Sequence, residues 1–225
     1  MRGFRTVLLT AAVAAAALVA NGAGATTVDW ASLTGDNGVD TVTGSIGAVG
    51  VTLANSTPYG FDQINGGGTD YWTTIGVGSP NYTQGVVNRP TGPDIVALSA
   101  AGTETISFSK PVTNVFIAFN SFNGADVTFS APFTIISQGC GYWGCGTFVP
   151  NGGNTGFTGN GETVGVLEFT GTFTSLSFTD TVGENWHGIT VGVSAVPEAA
   201  TWALMIGGLG LMGAALRRRR STTFA

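Results

Sequence analysis

The chemistry open to this chain is bounded first by what is scarce. Its 225 residues include one histidine, His187, and two cysteines, Cys140 and Cys145. Any Ser-His-Asp or Cys-His mechanism would have to use His187 as its base. It stands in Glu184-Asn185-Trp186-His187-Gly188-Ile189, at the entry to a strongly apolar strand pattern. The nucleophile-elbow pattern Gly-x-Ser-x-Gly is missing from the sequence, so this histidine reads as a half-exposed residue at a strand end. A glycosidase needs only two carboxylates, and Glu104, Glu162, Glu168 and Glu184 are available. Sequence spacing does not say whether two of them approach within roughly 5–10 Å, as that chemistry requires. A secreted carbohydrate-active enzyme, a glycoside hydrolase or lyase, therefore stands as the alternative to a noncatalytic protein, which requires none of the missing residues.

Cys140 and Cys145 lie in Gly139-Cys140-Gly141-Tyr142-Trp143-Gly144-Cys145-Gly146. Two thiolates without further Cys or His ligands do not make a zinc site. A disulfide closing this short loop is the expected state in an oxidising compartment, with glycines permitting the sharp backbone. Such a loop would hold Tyr142 and Trp143 outward, where aromatic rings stack on sugar faces, and these two are the candidate carbohydrate-binding residues. Tyr59, Tyr71, Trp72, Tyr82 and Trp186 are further aromatics that serve equally well as core. The sequence implies no cofactor. Calcium is the one metal left open, as a hard-cation site assembled from separated loops carrying Asp36, Asp40, Asp62, Asp70 and Asp94, since no Asp-x-Asp-x-Asp-Gly loop is present.

The elements that would position these residues are strands. Between Thr26 and Val196, twelve acids stand against two bases, Arg89 and Lys110, a net of −10 that disfavours nucleic acid as a partner. Apolar and polar residues alternate in this segment: Ile106 and Phe108 against Thr105, Ser107 and Ser109; Leu176 and Phe178 against Ser175, Ser177 and Thr179; Ile189, Val191 and Val193 against Thr190, Gly192 and Ser194. Lys110-Pro111 is expected to end one run, Val115 to Phe119 to form a central strand covered on both sides, and Asn123-Gly124 to turn the chain. The expectation is an all-β domain over 26–196, a single antiparallel sandwich of jelly-roll type with eight to ten strands. A β-helix would need a repeat of about twenty residues, which the segment lacks. From Asp36 to Pro93 the chain is too rich in Gly and Asn for its strand order to be read.

The two ends carry addresses. Arg2 and Arg5, the apolar stretch Val7 to Ala20 and the small residues Ala23-Gly24-Ala25 have the three parts of a secretory signal peptide over 1–25, with cleavage before Thr26. At the other end, Ala199 to Leu216 is uncharged and just long enough to span a bilayer as a helix. Arg217, Arg218, Arg219 and Arg220 follow it and, with the tail 221–225, should stay cytoplasmic by the positive-inside rule. With Val196-Pro197-Glu198-Ala199-Ala200-Thr201-Trp202-Ala203, this arrangement over 197–220 resembles the PEP-CTERM sorting signal in its Trp-Ala subtype. Pro197, Glu198 and Trp202 match motif positions, while Ala199 stands where that family usually has a second proline. The resemblance implies an exported protein of a Gram-negative bacterium, held in the inner membrane by its C-terminal helix and then processed by an exosortase. Its implied destination is the cell surface or an extracellular matrix such as biofilm, with exopolysaccharide as a partner there.

Overall fold

The computed structural model describes residues 26–73, 82, 85–86, 88–195, 206–210 and 212. The signal-peptide segment 1–25 and sorting residues Pro197, Glu198, Trp202 and Arg217 to Arg220 lie outside the described residues. Of the expected membrane helix, Ile206 to Gly210 and Met212 are helical, and among the described residues no helix is long and apolar enough to cross a membrane.

The domain is all-β, as its period-two alternation requires. Its strands are β1 (Val28–Trp30), β2 (Ser32–Asp36), β3 (Thr41–Ile46), β4 (Val49–Asn55), β5 (Tyr59–Gln63), β6 (Ile95–Leu98) and β7 (Gly102–Asn120). They continue with β8 (Asp126–Phe129), β9 (Thr134–Cys140), β10 (Cys145–Pro150), β11 (Gly156–Gly161), β12 (Gly165–Asp180) and β13 (His187–Ser194). Among the described residues these thirteen strands exceed the eight to ten expected, the surplus including short strands of the Gly- and Asn-rich first third.

The strands form one continuously hydrogen-bonded sheet in which β7 and β12, of 19 and 16 residues, take part along its whole extent. Gly102 to Ser107 of β7 pairs with the C-terminal half of β12 and Glu104 to Phe108 with β4; Val112 to Asn120 pairs with the N-terminal half of β12 and with β13. Two register shifts in the β7–β12 ladder, between Phe169 and Thr172 and between Phe173 and Ser175, separate the halves. Bulges of this kind bend and twist a strand. Lys110-Pro111 falls in the second shift, where Pro111 forgoes no ladder bond, so β7 runs through it where the sequence suggested a stop. At the first shift Asn114 adopts a positive φ of 49° and its carboxamide oxygen accepts a bond from Gly171 N at 3.0 Å.

Five strands close a ring, β12–β8–β11–β10–β9 and back to β12. Phenylalanines fill it: Phe119 meets Phe129, Phe148, Phe157 and Phe178 at centroid separations of 5.7–6.2 Å. Phe119 comes from β7, so a neighbouring strand completes the packing that the ring's own phenylalanines begin. The main core joins these to Leu33, Val42, Leu53, Ile106, Ile117 and Ile189. A second cluster, with Val28, Trp30, Trp72, Tyr82, Phe116 and Val166, covers the opposite face. Val115 to Phe119 is accordingly buried on both faces, as its unbroken apolar run predicts.

Candidate functional site

At one end of this sheet four chain segments bring five aromatic rings together. Tyr71, in the turn after β5, lies 4.9 Å from Tyr142, 6.0 Å from Trp143 and 4.9 Å from Trp186, centroid to centroid. Phe61 of β5 adds contacts to Tyr71 at 6.2 Å and Trp186 at 5.6 Å, and Trp143 meets Tyr142 at 4.8 Å. Most pairs cross at 63–77°, so the rings hold each other edge-to-face instead of forming one flat platform. Trp143, 53% exposed, is the ring the cluster offers outward; Tyr142, which the sequence also placed outward, is half-buried between Tyr71 and Trp143.

The geometry is fixed from beneath. Cys140 and Cys145 face each other across the β9–β10 ladder and form the expected disulfide, and Gly141 N donates to Gly144 O at 2.7 Å to close the turn. The glycines here are required by close approach more than by sharp backbone. A Cβ on Gly141 would lie 2.8 Å from Val164, one on Gly144 2.9 Å from Glu162, and one on Gly146 2.5–2.6 Å from backbone atoms of Asn160, Glu162 and Thr163. Asn120, at the end of β7, donates through its amide to Tyr71 O at 2.6 Å, and Glu184 accepts from Trp186 N at 2.8 Å. The chain leaves β7 through Ser121, whose φ of +61° is uncommon outside glycine and asparagine. Its hydroxyl donates to Glu162, which also accepts from the Asn123 amide at 3.2 Å, fastening Glu162 under Gly144.

The other predicted chemistry is dispersed. His187 is not half-exposed but fully buried, because Phe122 and the loop at Asn123 close over the start of β13. Its Nδ1 is 2.8 Å from Asp180, its Nε2 faces Asn123 O at 3.4 Å, and its ring stacks on Phe122 at 4.4 Å. The four glutamates share no hydrogen-bond partner: Glu104 is held by the Tyr59 hydroxyl, Glu162 by Ser121 and Asn123, and Glu184 by Trp186 N. Burial pushes the Glu104 carboxyl up to about 8, against which the Tyr59 hydrogen bond works, and burial also raises Glu168. Among the described residues no three His, Cys, Asp or Glu side chains stand where they would hold a metal ion. Of the aspartates considered for calcium, Asp94 accepts from Leu33 N and Gly66 N, Asp70 pairs with Arg89 at 2.8 Å, and Asp40 binds Asn37 and Thr41, which lowers its carboxyl. Burial raises Asp62, with Asp36 adding to the effect.

In the sequence Tyr71 and Trp186 fit core and surface equally, and Phe61 carries no signal of the cluster. Comparison with known proteins finds no curated protein and no solved structure matching the chain. A family model for the PEP-CTERM protein-sorting motif matches residues 195–220, directly after β13, so the chain carries a PEP-CTERM sorting tail and is an exosortase-sorted exported protein.

Proposed function

We propose that the β domain is a noncatalytic component of the cell surface or extracellular matrix that binds polysaccharide through the aromatic cluster around Trp143. On this reading the membrane holds the precursor through its C-terminal helix, and the processed protein works outside. The observation that carries it is the convergence of Phe61, Tyr71, Tyr142, Trp143 and Trp186 from distant parts of the chain around one exposed indole. A buried core gains nothing by leaving its largest ring in water, whereas a sugar face gains a preorganised apolar partner. The enzyme alternative would favour a carboxyl with a raised pKa in a cleft. Glu104 has the raised pKa, but it is sealed in the core with Tyr59 bonded to both its oxygens.

The test is a sedimentation assay with exopolysaccharide from the native host. Wild-type protein should co-sediment, and Trp143→Ala should bind at least about tenfold more weakly, a loss of about 1.4 kcal/mol. Equal binding by both proteins would refute the cluster as the site. The sorting step is read separately, from the mass of the mature protein with and without the exosortase: a chain beginning at Thr26 and ending near Pro197, with the tail kept only in the mutant.

A further inference from the structure

Resting on that reading, we infer that the cluster selects glycans without acidic groups and excludes polyuronates. The argument is in the rim of the rings. Asp70 precedes Tyr71, Glu184 is bonded to Trp186 N, and Glu162 packs under Gly144 beside Trp143. Ionised carboxylates accept hydrogen bonds and donate none. All three are already partly satisfied from within, Asp70 by Arg89 and Trp72 N, Glu162 by Ser121 and Asn123 and Glu184 by Trp186 N, yet each keeps acceptor capacity. The border therefore asks its ligand for O–H donors, which an uncharged pyranose supplies around its whole edge while its C–H face lies on the indole.

An acidic sugar meets the opposite situation. Its carboxylate would set acceptor against acceptor and negative charge against negative charge. The one cation at this border, Arg89, is already paired with Asp70 at 2.8 Å, and the only other base of the 26–196 segment is Lys110. Lys110 belongs to the β7–β12 bulge, ten residues before the Asn120 end that carries the cluster. Nothing in the segment's net of −10 offsets the repulsion.

The experiment is affinity electrophoresis of the mature protein purified from its host, through gels containing hydroxyethyl cellulose, galactomannan or dextran as uncharged polymers and alginate or polygalacturonate as polyuronates. At least one uncharged polymer should retard the wild type. That retardation should persist in 0.5 M salt, where the Debye length shrinks to roughly 4 Å, and fall at least about tenfold in Trp143→Ala. Neither polyuronate should retard it. A polyuronate retarding the protein as strongly as the uncharged polymers, with the effect lost in Trp143→Ala, would overturn the selectivity and leave the cluster as the binding site. Retardation by no polymer, or retardation indifferent to Trp143→Ala, would bring down the cluster reading itself and this inference with it.

Discussion

Glu104 shows what one buried group does to the whole fold. Its carboxyl is fully buried and raised to about 8 from an ordinary 4.5, so the folded state holds a proton that the unfolded chain releases near pH 4.5. A raised acid pKa gives stability that is complete below pH 4.5 and declines as pH rises through about 8. Thermal unfolding should therefore show the midpoint falling between pH 5 and 8.5, and Glu104→Gln, which still accepts from the Tyr59 hydroxyl, should flatten that slope. An unchanged slope in the variant would remove Glu104 as its source. His187 makes a complementary point. Replacing it by Ala takes the partner from the buried Asp180 Oδ2 and empties the space against Phe122, and should cost about 3 kcal/mol by denaturant titration.

At the scale of elements, the β9–β10 hairpin carries the site, and its disulfide closes a loop of sequence separation 5. The chain-entropy argument gives so short a loop on the order of 2 kcal/mol, which for a domain of this size lowers the melting midpoint by roughly 4–8 °C on reduction. Glycan binding should drop further than that stability loss explains, because reduction frees the turn that holds Tyr142 and Trp143. Gly146→Ala should cost about 2–3 kcal/mol, since its Cβ meets backbone on three sides; a neutral result by calorimetry would mean the 160–163 segment yields. The hairpin was the legible part of the site, for two cysteines bracketing two aromatics state their own geometry. Phe61, Tyr71 and Trp186 were not legible, because nothing in their local patterns says that positions this far apart meet. The strands divide in the same way. Alternation located β13, yet Thr190 and Gly192, on the polar side of that alternation, are buried too. Val28 and the Trp30 ring lie so close over Gly192 that a Cβ there would sit 2.5–2.9 Å from them. Small residues that floor a neighbouring ring have the same pattern as small residues facing water. Lys110-Pro111 misled for a related reason: a proline excluded from a ladder is tolerated in a bulge.

For the whole molecule, the course of β13 relates the site to the tail. Trp186 and His187 stand at its start, and the sorting tail follows its end, eight residues and roughly 25 Å away at about 3.3 Å per residue. The rings therefore lie about one β13 length from the point where the tail departs. Trp143→Ala, which removes an exposed ring, should leave the melting midpoint within about 2 °C of wild type, so that its binding loss is read cleanly. Where the domain begins and ends, β1 lies antiparallel to the last residues of β13, Val28 opposite Ser194, and Ala195 N donates to Thr27 O at 3.0 Å. Further along, β13 is bonded to β6 on one side and to β7 on the other. A pull transmitted along the chain beyond Ala195 would thus load these ladders lengthwise, many bonds strained together in shear instead of parting one by one. A strand gripped on both edges over most of its length yields to such a load only when these ladders part together.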